Sequence, residues 1–113
     1  METSVNTKVW LDLGGGVAFC HGKADLLLAI EELGSINRAA QKVKMSYKRA
    51  WKYIRDLERC LGAKILTTHI GGVNGGGSQL TEVGKNLLRD YEETKAQVNR
   101  ALAMNVRAFN RSF

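Results

Sequence analysis

Apolar residues recur at helical intervals along most of the chain and alternate only in short stretches, a pattern that predicts a mainly α domain with two small hairpins. Val9 to Leu13 alternates as a strand does, Gly14 to Gly16 makes a turn, and Val17 to Phe19 pairs back. Leu26, Leu27, Ile30 and Leu33 then fall at helical spacing within Lys23 to Leu33, and Gly34 stops that helix. Ser35 caps a short helix reaching about Val43, in which Ala39 and Ala40 are small enough for a following helix to cross closely. Ser46 caps a third helix that ends near Gly62. Ile65 to Ile70 and Ser78 to Thr81 are short strands flanking a glycine-rich tip, and a last helix runs from Thr81 to about Asn110.

Charge changes the picture at the third helix. On a wheel of about 100° per residue, Tyr47, Ala50, Trp51, Ile54, Leu57 and Leu61 gather on one face, while Lys48, Lys52, Arg55 and Arg59 line the other. From Ser35 to Lys64 there are nine basic residues against Asp56 and Glu58, a balance of +7, whereas the whole chain carries +6. The basicity is therefore local, as a surface that meets a polyanion requires. Two short helices, the second presenting cations, make a helix-turn-helix whose second helix enters a DNA groove. A membrane-surface helix fits less well, because it needs a broad exposed apolar face and here the core requires that face.

The remaining composition mostly excludes. At 113 residues, 44% hydrophobic and 25% charged, the chain fits one small globular unit. No stretch approaches a membrane span and the start is polar, so the expected location is cytoplasmic with no membrane partner. Cys20 and Cys60 have no C-x-x-C spacing, and His21 and His69 no second ligand at metal spacing, so no metal and no cofactor are expected. No G-K-[ST] follows the glycines, which sets aside an NTPase phosphate loop. No nucleophile–base set suggests an enzyme, and Glu31, Glu32, Glu92 and Glu93 read as solvated helix faces.

The last helix is too long to bury itself on so small a domain. Leu88, Tyr91, Val98, Leu102 and Phe109 recur at threes, fours and sevens, a seam suited to a second copy, interrupted by Lys95 and Asn105. Residues 1–81 are thus expected to form the DNA-binding domain, and 82–113 a dimerisation helix. A two-fold dimer reading successive major grooves needs its recognition helices about 34–36 Å apart. The competing expectation is that the stripe packs back on its own domain.

The runs G-S-I-N-R-A-A-Q-K-V-K-M-S-Y-K-R-A-W-K-Y-I-R-D-L-E and L-T-T-H-I-G-G-V-N-G-G-G-S-Q-L-T-E-V-G-K-N-L-L resemble the N-terminal DNA-binding domain of the ModE family of molybdate-responsive repressors, a relative of the LysR-type winged helix-turn-helix. The likeness covers nearly the whole chain. It implies a winged helix-turn-helix with a short N-terminal β-hairpin, a wing hairpin and a long C-terminal dimerisation helix, binding an operator as a homodimer. It further implies regulation linked to molybdate uptake or molybdenum enzymes. Three departures stand out. Full-length members carry oxyanion-binding subdomains after the long helix, whereas this sequence stops at Phe113, so no molybdate site transfers to any residue here; a separate oxyanion-binding protein is then one partner to consider. Lys44 occupies the turn position where members usually have a glycine in the left-handed region, a replacement costing about 1 kcal/mol. Val73 and Asn74 stand where the wing usually has a basic residue.

The candidate contacts follow. Ser46, Tyr47, Lys48, Arg49 and Lys52 are expected to read bases, Arg49 first because its planar fork binds a guanine edge bidentately. Lys42, Lys44, Arg55 and Arg59 are assigned to phosphates, with Ser35 and Tyr53 beside them and the wing backbone at Gly75 and Gly76. Two other readings stay open at this point: a nonspecific architectural nucleic-acid binder, and a winged-helix protein-interaction module.

Overall fold

A computed structural model describes residues 4–69 and 77–112. In chain order these form β1 (Leu11–Asp12), β2 (Ala18–Phe19), α1 (His21–Leu33), α2 (Ile36–Lys42), α3 (Tyr47–Leu61), β3 (Leu66–His69), β4 (Gly77–Leu80) and α4 (Glu82–Ser112). β1 and β2 pair antiparallel with Leu11 opposite Phe19, and β3 and β4 with Leu66 opposite Leu80. The architecture is the expected mainly helical one with a small hairpin before α1 and a second between α3 and α4.

Local chemistry sets the boundaries. Gly34 and Gly62 end α1 and α3 in the left-handed region, at φ 66° and 64°, each returning its N–H to a carbonyl of the last turn. Ser35 and Ser46 cap α2 and α3, their hydroxyls accepting the N–H groups of Arg38 and Arg49. α1 begins two residues earlier than expected, after Cys20, which makes no side-chain cap. The first hairpin is shorter than its alternation suggests, because the Val9 carbonyl accepts the Tyr91 hydroxyl at 2.9 Å and is drawn to α4.

The core lies where α1, α2, α3 and the start of α4 converge. Leu26, Leu27 and Ile30 of α1 meet Ala39 and Ala40 of α2 and Ala50, Ile54 and Leu57 of α3, all buried. The three alanines keep the helix-turn-helix crossing close. Phe19 and Tyr91 meet edge to face, with ring centres 5.2 Å apart. Burial raises the Tyr91 phenol above its ordinary pKa, so it stays a neutral donor to Val9. Leu88 and Tyr91, expected at a dimer interface, are therefore corrected to the protomer's own core, with Tyr91 only 1% exposed. The first turns of α4 complete the unit that was expected to end at residue 81.

Gly84 explains how α4 comes so close. A Cβ there would stand 2.6 Å from the Ile65 carbonyl oxygen, so only glycine lets α4 touch the backbone just before β3. Thr81 closes the same corner, its hydroxyl donating to the Lys64 carbonyl at 2.7 Å and accepting the Gly84 N–H. α1 is tied in through Ser78, whose N–H donates to the Gly34 carbonyl at 2.8 Å.

The turn between α2 and α3 holds Lys44 at φ 60°, the one non-glycine residue with positive φ among the described residues. A side chain in that region costs about 1 kcal/mol more than glycine does. Lys44→Gly should therefore raise the melting temperature, by about 4 °C for a domain of this size, in a thermal unfolding scan; an unchanged or lower value would mean that the turn is not strained.

Candidate nucleic-acid interface

α3 presents the candidate surface because its apolar side is committed to the core. With Ala50, Ile54 and Leu57 buried, the helix has one orientation, and Lys48, Arg49, Lys52, Arg55 and Arg59 all lie exposed on its outer side. Ser46, Lys42 and Lys44 are exposed alongside them, while Ser35 is half-buried as the α2 cap. The α3 cations thus share the outer side of one helix, whereas Lys42 at the end of α2 is turned toward α1, its ammonium on Glu32. Gly75 and Gly76 lie outside the described residues.

Two ladders flank the cationic stripe. On one side Tyr47, Trp51 and Arg55 succeed one another every fourth residue. Tyr47 meets Trp51 edge to face at 6.3 Å, and the Arg55 guanidinium sits over the Trp51 ring at 5.6 Å. Helical periodicity assigned Tyr47 to the packing face, yet it is 53% exposed. It occupies the first turn of α3, where its ring rests on Trp51 instead of entering the core, and this leaves its phenol accessible. On the other side Arg49 and Tyr53 are joined, the Arg49 Nε–H donating to the Tyr53 hydroxyl at 2.9 Å. Lys23 of α1 lies over the same Tyr53 ring at 5.1 Å.

Several of the cations are already partnered. Lys52 pairs with Asp56 at 2.8 Å, and Arg59 reaches the same carboxylate at 3.4 Å. The bonded Lys52 ammonium, with Arg59 beyond it, holds Asp56 below the ordinary carboxylate pKa, so it stays charged at neutral pH. Lys42 pairs with Glu32 of α1 at 2.7 Å. Glu58, the other acid of the window, lies 3.7 Å from Lys64 and accepts the Ile65 N–H, so it serves the turn after α3. Lys44, Lys48, Arg49 and Arg55 have no ion pair among the described residues, so three of the four uncompensated cations lie at or before the first turn of α3. Sequence reasoning counted Asp56 but missed that it engages two stripe cations, although its spacing of four from Lys52 and three from Arg59 carries that signal.

Such a surface offers what duplex DNA requires: long cations for phosphates, and a fork, an ammonium, a hydroxyl and a phenol for base edges. Among the described residues no helix is long and apolar enough to cross a membrane.

Comparison with known proteins agrees with this geometry. The profile of the family described as bacterial regulatory helix-turn-helix protein, lysR family, matches residues 23–85, which span α1 to the first turn of α4. The molybdenum transport protein ModE of Azotobacter vinelandii is 38% identical over 92 residues, 81% of this chain and 34% of that protein. The transcriptional regulator ModE of Haemophilus influenzae is 40% identical over 67 residues, 59% of this chain and 26% of that one. The chain thus spans about a third or less of the length of these curated relatives. Among solved structures, ArgP from Mycobacterium tuberculosis aligns at a TM-score of 0.53 and 26% identity over 74% of this chain and 30% of its own. The CbnR DBD, solved in a complex with DNA, aligns at 0.56 and 22% identity over 76% of this chain and 93% of its own, a likeness of fold.

Asp56 sets up a direct measurement. Asp56→Asn should tighten binding to random-sequence duplex severalfold at low salt, because it removes an anion from the contact face and frees Lys52 and Arg59. The gain should shrink as salt rises in a fluorescence titration, and weaker binding at low salt would count against α3 as the contact surface.

Proposed function

The chain belongs to the lysR family of bacterial regulatory helix-turn-helix proteins, and on that premise we propose that it is a sequence-specific, DNA-binding transcriptional regulator. The family is one of regulators, not of enzymes. The observation that carries the reading is the orientation of α3: its apolar side is buried among α1 and α2, which leaves its cations directed outward and uncovered. Arg49 reads a base edge with Ser46, Tyr47 and Lys48 beside it, and Lys42, Lys44, Arg55 and Arg59 hold phosphates. The protein acts in the cytoplasm, where its duplex is, and binds its operator as a homodimer. Its likeness to ModE of Azotobacter vinelandii supports a link to molybdate or another oxyanion, sensed by a part of the regulator other than residues 1–113 or by a separate protein.

Selecting bound duplexes from a random pool tests the central statement. A defined motif should emerge. On that motif Arg49→Ala should cost about 1–3 kcal/mol and relax one base pair, while Arg59→Ala should weaken motif and random duplex alike. Equal affinity for selected and random duplex across a salt series would replace this reading with a nonspecific architectural role.

For the dimer, the part of α4 beyond Tyr91 supplies the surface. Val98 and Leu102 are half-buried and Phe109 is 45% exposed, along a helix about 46 Å long at 1.5 Å per residue. Leu102→Glu should shift the protein from dimer to monomer in sedimentation equilibrium and weaken binding to a two-half-site duplex far more than to a single half-site. A wild-type protein that stays monomeric at micromolar concentration would refute pairing through α4.

A further inference from the structure

Arg49 does not stand free above α3. Its Nε–H donates to the Tyr53 hydroxyl at 2.9 Å, and its guanidinium carbon lies 5.4 Å from the centre of the Tyr53 ring. One residue thus supplies both an acceptor and a π surface to the same cation. Tyr53 is itself braced. It is half-buried against the core, and the Lys23 ammonium sits over its ring at 5.1 Å while donating to the Ala18 carbonyl at the end of the first hairpin. Lys23, Tyr53 and Arg49 therefore form a chain from β2 and the start of α1 to the outer surface of α3.

The geometry matters because of which nitrogen is used. A guanidinium grips a guanine edge through a pair of parallel N–H groups, and the pair formed by its two terminal nitrogens leaves Nε as the spare donor. When Nε–H is given to Tyr53, that terminal pair stays available and its direction is restricted before any DNA arrives. A long side chain held in its working direction loses less freedom on binding than one that must be ordered at the moment of contact.

We propose that Tyr53 is a positioning residue that holds Arg49 by its Nε–H and aims the terminal nitrogens of Arg49 at the base edge, thereby setting sequence selectivity without contacting the base itself. This rests on the reading of Arg49 as the base-reading side chain given above. It replaces the expectation of Tyr53 as one more direct DNA contact.

Tyr53→Phe keeps the ring and removes the acceptor, and Arg49→Ala and the double variant complete a cycle. All are assayed as folded protein, with melting temperature as the check, on a duplex selected from a random pool and on random duplex. Tyr53→Phe should weaken binding to the selected duplex about three- to tenfold, the factor expected from releasing one long side chain, with a smaller loss on random duplex. In the Arg49→Ala background the same change should have no further effect. Independently of DNA, the Arg49 Nε–H signal in a proton–nitrogen NMR spectrum of the free protein should exchange slowly with water and lose that protection in Tyr53→Phe. Equal losses from Tyr53→Phe with and without Arg49 would make Tyr53 a direct contact and overturn the proposal, as would an unprotected Nε–H in the wild type. Failure of the underlying reading has its own signature. Arg49→Ala would then lose equally on both duplexes, removing the proposal's base even with the Nε–H protected.

Discussion

The burial of one side of α3 is the constraint on which the rest of the molecule depends. Ile54 and Leu57 are fully enclosed, each contributing about 2 kcal/mol through removal of apolar surface from water. Against this stand the like charges that α3 lines up on its outer side, Lys48 with Lys52, Lys52 with Arg55 and Arg55 with Arg59, at spacings of three and four. Each such pair costs about 0.2–0.5 kcal/mol on an exposed helix. Burial wins comfortably, so a stripe that would fray an isolated peptide is held in place by the face behind it. The fold thus stores a repulsive array that a polyanion relieves.

Asp56 moderates that array and shows how the two halves of α3 differ. It gathers Lys52 and Arg59 while leaving Lys44, Lys48, Arg49 and Arg55 without an ion pair among the described residues. A uniformly positive helix would bind any duplex by counterion release, whatever its sequence. Concentrating the uncompensated charge at the N-terminal turns, where Ser46, Tyr47 and Arg49 also lie, brings attraction and hydrogen-bonding capacity to one end of the rod. The two flanking ladders have a similar consequence. Arg55 on Trp51 and Arg49 on Tyr53 are cations lodged beside rings, with less freedom than their chain lengths allow.

Where a residue type has one dominant local use, the sequence was read correctly. Gly34 and Gly62 ended helices, Ser35 and Ser46 capped them, and the apolar spacing of α1 and α3 picked out most of their buried positions, though Leu33 at the end of α1 is exposed. Lys44 was expected in a left-handed turn from the family resemblance alone, and lies there. What failed to show was anything decided between elements. Period alone could not say whether Leu88 and Tyr91 faced a second copy or their own domain, since both surfaces want the same residues. Tyr47 followed the apolar period of α3 but falls in its first turn, where it rests on Trp51 in the open. Gly84 resembles any helical glycine until Ile65 is placed against it, and nothing local links Lys23 to a ring thirty positions away.

α4 joins these levels. Its first turns are fastened twice, by Gly84 against Ile65 and by Tyr91 against Phe19 and the Val9 carbonyl, so the hairpin before α1 and the strand after α3 hang from one rod. Beyond Tyr91 the same helix carries only partly covered apolar positions, with Thr7 reaching Asn99 at 3.3 Å along its side. The protomer core is therefore closed without a partner. Pairing through the outer half of α4 would then govern the separation and angle of two preformed reading surfaces more than their folding. Because α4 is anchored to the same core that orients α3, such a pairing would pass its spacing to the side chains of α3.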